Sequence, residues 1–180
     1  MPHLDRIVAE LESEGIAGAV VNGTSPEDWP AVTQLASRYS WVVPSYGIHP
    51  WDCGNRPANW QEQLQEALNT AGTIIANRKQ VGLPAVLSSV ASAKGEALAK
   101  VGEIGIDRWM LDQAKPDEAR LAGLRRAPLD EQLEVFIWQL ELAAEQGRAA
   151  SIHCIDAWGV LFEALRSAKL PAQGCLLHAY

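Results

Sequence analysis

The chain has 180 residues, 48% hydrophobic and 21% charged, with a formal net charge of −7. These are values for one globular domain with a full core, and they exclude wholesale disorder and a basic face for non-specific nucleic-acid binding. They leave room for a nucleic-acid substrate held through metal ions, because bound cations add charge that a residue count omits. No apolar run reaches membrane-helix length, and no basic segment followed by an apolar one opens the chain, so neither a membrane span nor a signal peptide is expected. Cys53, Cys154 and Cys175 are odd in number and lack metal-site spacing, which fits a reducing cytoplasm.

In chain order, Leu4, Ile7, Val8 and Leu11 recur at helical spacing and Gly15 stops that helix, so His3 is placed at a helix start. Residues 17–22 read as a strand ending at Gly23. Ser25-Pro26-Glu27-Asp28 reads as a helix start, with Ser25 as N-cap and acids in the first turn. Trp41-Val42-Val43 opens a second strand running to Gly47-Ile48-His49-Pro50, and a helix is expected over about 59–68. Gly72, Gly82, Pro84 and Gly95 interrupt residues 71–100, leaving a short strand near 85–87 or a helix from Ser88 open. Val101-Gly102-Glu103-Ile104-Gly105-Ile106-Asp107 is apolar and β-branched, as in a parallel strand buried on both faces. Residues 110–128 form a polar stretch expected to be a lid or binding loop. Leu133, Phe136, Ile137, Leu140, Ala143 and Ala144 make a helical stripe over 130–146. A strand ending at His153, a helix over about 158–168 and a strand ending at His178 complete the chain.

Alternating strands and helices predict an α/β fold with a parallel sheet, in which right-handed crossovers gather the strands' C-terminal ends on one side. His49, Glu103, His153 and His178 all fall at or near such ends. A buried carboxylate needs a partner. Glu103 has two readings: an ion pair with Arg108 or Arg148, or a metal site shared with the histidines. Asp107 and Asp156 also serve as helix or turn caps on their own. Taken together, the four strand-end residues favour the metal reading, and imidazole with carboxylate suits Zn²⁺, Mn²⁺ or a similar ion. Such a site activates water and polarises a phosphoryl or carbonyl oxygen.

Gly47-Ile48-His49-Pro50, Gly102-Glu103-Ile104-Gly105-Ile106-Asp107, Ile152-His153-Cys154-Ile155-Asp156-Ala157 and Leu177-His178-Ala179-Tyr180 resemble, in order, four motifs of the TatD-type deoxyribonucleases of the amidohydrolase superfamily. Gln132, Phe136 and Gln139-Leu140-Glu141-Leu142-Ala143 resemble that family's helix before the first histidine motif. The resemblance implies a TIM (β/α) barrel, divalent metal ions (zinc, manganese or magnesium, two in a complete site) and phosphodiester hydrolysis, typically 3′–5′ exonuclease action on DNA. It implies that Glu103 is the catalytic, metal-bridging carboxylate and that His153 and His178 are further metal ligands. It places His49 near the substrate and makes Asp156 a support for a ligand or loop. Arg108 stands where many members have an aromatic residue and has two readings, a contact to a substrate phosphate or a solvated side chain.

The chain departs from the family pattern at several points. The family's opening His-x-His is not matched, since Met1 stands where its first histidine belongs. The late aspartate ligand has no counterpart, Ile155 replaces a common arginine, and residues 71–100 read as an insertion. The strands correspond to the second through sixth of eight, so a partial barrel, truncated at both ends, is expected. Three functions follow: a metal-dependent nuclease, a superfamily hydrolase of another ester, amide or small phosphodiester, and a non-catalytic remnant that binds a partner. No membrane association and no obligate protein partner is indicated.

Overall fold

The computed structural model describes residues 2–16, 18–80 and 99–178. Its elements are α1 (Pro2–Ser13), β1 (Ala19–Gly23), α2 (Trp29–Arg38), β2 (Val42–Tyr46), α3 (Trp60–Gln80), β3 (Lys100–Asp107), α4 (Trp109–Asp112), α5 (Leu129–Glu145), β4 (Ala150–Ile155), α6 (Trp158–Ser167) and β5 (Cys175–His178). The five strands form one sheet in the order β1-β2-β3-β4-β5, and every neighbouring pair is parallel. This is an α/β fold with a five-strand arc of a barrel, as the motif order predicts.

The core lies between one face of the sheet and its helices. Tyr46, Ile104, Ile106 and Ile152 from the strands meet Leu64 and Leu68 of α3, Phe136 and Leu140 of α5, and Leu161 of α6, all fully or nearly fully buried. Residues alternate along each strand, so the opposite face carries the polar set: Ser45, Glu103, Ser151 and His153. Gly105 sets the spacing between β3 and β4. A Cβ there would lie 1.9 Å from the His153 carbonyl oxygen, so only glycine lets the Glu103 strand approach the His153 strand this closely.

Several boundaries differ from the sequence reading. Helix α2 begins at Trp29 with Asp28, not Ser25, at its N-cap position. The Asp28 carboxylate turns back to accept from the backbone N–H groups of Thr24 (2.9 Å) and Ser25 (3.3 Å), closing a turn before the helix starts. Helix α3 continues through Gly72 to Gln80, because Ala71 and Ile75 carry its buried face past the glycine. The readings made for 85–87 and Ser88 lie outside the described residues. The 110–128 stretch is not wholly loop. It holds α4 and a short 3-10 turn at Ala119–Leu121, built over a small apolar cluster of Met110, Ala114 and Leu121.

Helix α5 lies where its stripe predicts, but the buried face also carries two glutamines, Gln132 and Gln139, both 0% exposed. Gln139 accepts from the Ile48 N–H (2.7 Å) and donates to the Ile48 carbonyl (3.2 Å). Gln132 accepts from the Asp107 N–H (2.8 Å) and donates to the Asp107 carbonyl (3.2 Å). Each amide thus satisfies the backbone just where β2 or β3 runs out of sheet partners. Gln139→Leu keeps the side chain's bulk and strands both Ile48 groups. The expected loss is about 2–6 kcal/mol, from about 1–3 kcal/mol for each of the two unsatisfied buried groups, read from urea unfolding; a loss below about 0.5 kcal/mol would contradict this role.

Candidate metal centre at the strand ends

Strands β2 to β5 deliver four residues to one point. Glu103 Oε1 lies 3.1 Å from His153 Nδ1, 3.1 Å from His178 Nε2 and 3.4 Å from His49 Nε2. The His49 and His153 rings meet edge to face at 4.4 Å. The structure therefore gathers Glu103, His49, His153 and His178, as the sequence predicts. Among the described residues Glu103 pairs with no arginine. Arg108 is exposed and pairs with Asp112 at 2.9 Å, and Arg148 donates to the carbonyls of Ala99 and Leu68.

The hydrogen bonds distinguish the histidines. His153 Nε2 faces Asp107 Oδ2 at 3.0 Å, which directs Nδ1 toward Glu103. A carboxylate on the far ring nitrogen is the usual orienting partner of a metal-ligating histidine. His49 Nδ1 accepts from the Trp51 backbone N–H at 3.2 Å. The neutral ring therefore carries its proton on Nε2, which points at Glu103 as a donor. His178 Nε2 is buried and has no hydrogen-bond partner of proper geometry among the described residues.

The charges follow from these contacts. Burial disfavours the Glu103 carboxylate, but hydrogen bonds from His153 and His49 outweigh burial and hold its pKa well below the usual range. Burial likewise disfavours charge on His153, yet Asp107 and Glu103 push its pKa up to about 9. For His49 burial wins, and its pKa is lowered. Asp107 is held below its ordinary value by His153, the Met110 N–H and Trp51, against the opposing effect of burial.

Asp107 is the residue that sequence reasoning undervalued. It does cap a turn, since Oδ1 accepts from the Met110 N–H at 2.9 Å, and it also holds His153 and accepts from Trp51 Nε1 at 2.7 Å. The signal was its position four residues after Glu103, on the same face of an alternating strand. Asp156 is exposed and accepts from Gln113 Nε2 at 2.8 Å, so it supports the 110–128 segment.

Beside the centre, Ser25, Glu27, Asp52, Asn55 and Arg56 line a hollow. Burial, then Asp28 and Glu27, raise the Asp52 pKa to about 6. A raised acid binds its proton more tightly folded than unfolded, so stability falls as pH climbs toward about 6 and stays lower above it. Asp52→Asn should thus leave the melting temperature unchanged near pH 4 and raise it by a few degrees at pH 7.5. Equal melting at pH 7.5 would refute the assignment.

His49, Glu103 and His153 offer ligand atoms within 4.8 Å of one another, a potential metal-binding group. No described helix is long and apolar enough to cross a membrane. The family model described as TatD related DNase matches residues 2–180. The chain is 31% identical over 182 residues to Cut9-interacting protein scn1 of Schizosaccharomyces pombe, covering 88% of this chain and 53% of that protein. It is 25% identical over 176 residues to the 3′-5′ ssDNA/RNA exonuclease TatD of Klebsiella pneumoniae, covering 98% and 52%. The solved structure of YjjV, a TatD homolog from Escherichia coli K12, aligns with a TM-score of 0.55 at 25% identity, over 92% of this chain and 49% of that one. The chain spans about half the length of these relatives. Four ordered motifs, a parallel sheet with its chemistry at the strand ends, and a match along nearly the whole chain agree: this protein belongs to the family of TatD related DNases.

Proposed function

We propose that the chain carries the phosphodiester-hydrolysing centre of a metal-dependent nuclease acting on single-stranded nucleic acid from the 3′ end. The observation that carries this reading is the convergence of Glu103 with three strand-end histidines. The donor set fits a divalent ion. Glu103, His153 Nδ1 and His178 Nε2 supply carboxylate and imidazole donors, and His178 Nε2 is buried without another partner. Zinc, manganese and magnesium are the candidates. When bound, such an ion polarises a phosphoryl oxygen and activates water.

The chain's own residues do the rest. Asp107 orients His153 and keeps its Nε2 protonated. His49, held by the Trp51 N–H, presents Nε2–H as a donor, suited to a substrate oxygen once Glu103 is engaged elsewhere. Arg108, exposed and paired with Asp112, would meet a flanking phosphate by exchanging that partner. Asp156, through Gln113, steadies the segment over the site. Buried free Cys53 and Cys154 and exposed free Cys175 support a cytoplasmic location.

The test is a 5′-labelled single-stranded oligonucleotide incubated with the purified chain and Zn²⁺, Mn²⁺ or Mg²⁺. Shortening from the 3′ end, abolished by chelator and restored by metal, is expected. Hydrolysis of a small ester with none on the oligonucleotide would overturn the substrate. A second reading, a protein-binding role, is favoured by the relative named for its interaction with Cut9. Metal-dependent cleavage by the isolated chain, lost in His153→Ala, would remove that reading.

A further inference from the structure

Trp51 and Trp109 stand at the lip of the centre, and the metal chemistry uses neither. Trp51 is tied to the site by its Nε1–H bond to Asp107 (2.7 Å) and by edge-to-face contact with His49 at 5.5 Å. Trp109 lies against it with ring centroids 6.0 Å apart and planes 31° from parallel. The Arg120 guanidinium carbon sits 4.6 Å from the Trp109 ring centre and 5.9 Å from that of Trp51. The Arg120 side chain is 61% exposed, steadied at one edge by Glu118 (2.8 Å), while both tryptophans are half-buried.

The platform is built, not incidental. Met110, Ala114 and Leu121 form an apolar floor on which both tryptophans pack. Arg126 ties the segment down through the Ala114 carbonyl at 2.8 Å. Residues 108–126 carry five cations (Arg108, Lys115, Arg120, Arg125, Arg126) against three acids (Asp112, Asp117, Glu118), in a chain whose net charge is −7. A flat aromatic and guanidinium surface inside a locally basic segment is what recognises an unstacked nucleobase joined to a phosphate.

We propose that Trp109 and Arg120, seated on Trp51, form a stacking subsite for a nucleobase flanking the scissile phosphate. The proposal rests on the nuclease reading and specifies its substrate: a strand whose bases are free to leave the stack. Stacking reads a π-face, so the subsite takes any base and does not distinguish DNA from RNA.

The experiment titrates the full chain, with chelator present to prevent cleavage, against a short oligothymidylate, its RNA counterpart and an abasic strand of equal length. Tryptophan fluorescence reports binding. Quenching by the base-bearing strands and at least about tenfold weaker binding of the abasic strand are expected. Trp109→Ala and Arg120→Ala should each weaken base-bearing strands by about 5- to 150-fold, the range of one base–aromatic stack, and leave abasic binding much less affected. Trp109→Phe, which keeps a ring over the apolar floor, should retain most of the affinity and guards against misfolding of the alanine variant. Comparable binding of the DNA and RNA strands, lost with the bases, supports the subsite; base-dependent binding of one and not the other overturns its indifference to the sugar. Equal affinity for abasic and base-bearing strands, or unchanged affinity in both Trp109→Ala and Arg120→Ala, would overturn it. Cleavage is scored separately with the unsubstituted chain. Base-dependent binding without metal-dependent cleavage overturns the nuclease reading and leaves the subsite standing. Cleavage with base-independent binding overturns the subsite alone.

Discussion

Glu103→Gln should abolish tight divalent-metal retention, lowering affinity by at least about a hundredfold, since even outer supports of such sites cost about 10- to 100-fold. The amide keeps one oxygen but loses the charge that three histidines surround. Its NH₂ also turns a donor toward His49 Nε2–H, which now faces an acceptor. Metal analysis of the dialysed variant against wild type reads the effect, and unchanged stoichiometry would remove Glu103 from the centre. The metal-free chain gives a second readout. Asp107 and Glu103 together hold the His153 pKa near 9. Loss of one of those carboxylates should lower it, as an NMR titration of the ring would record. The fold should survive, because Glu103 lies on the polar face of β3 and outside the apolar core.

Asp107→Ala should be the most destabilising single change at the site. The carboxylate is fully buried and serves His153 Nε2, Trp51 Nε1 and the Met110 N–H at once. Its removal leaves those donors unpaired, one of them on a charged ring, and a broken buried pair costs about 3–5 kcal/mol. The pH dependence has a defined sign. His153 is raised in the fold, so its pairing stabilises fully below the ordinary histidine pKa and is lost as pH rises through about 9. The melting temperature of the variant should therefore fall furthest below wild type at pH 6 and come closer to it at pH 9.5. A constant difference across that range would show that the ion pair is not its source. Asp107→Asn, which keeps an acceptor for Trp51 or Met110, should lose less.

Most of the centre was legible because strand-end chemistry leaves a local mark. His49, His153 and His178 each follow a short apolar run and Glu103 sits inside one, and parallel topology brings the same ends of such strands together without knowledge of packing. Helix α5 was equally plain, since its stripe spans about three turns. What stayed hidden depends on contacts distant in sequence. Asp28 closes its turn through the backbone of Thr24 and Ser25 and delays α2, a competition that a Ser-Pro start does not reveal. Gly72 reads as a stop, yet the burial of Ala71 and Ile75 carries α3 past it. Gln132 and Gln139 resemble surface polar residues until the strand ends they satisfy are placed beside them.

Those two glutamines make α5 a ruler. They lie seven residues apart, two helical turns or about 10.5 Å, and each grips one strand terminus, at Asp107 and at Ile48. The relative height of His49 and Asp107 is therefore dictated by a helix that contributes no atom to the centre. One residue inserted between the grips would swing one of them about 100° around the axis and release its strand. Length variation should be tolerated on the exposed surface and forbidden inside those two turns, which makes an ordinary-looking stretch of helix as intolerant of insertion as the site itself.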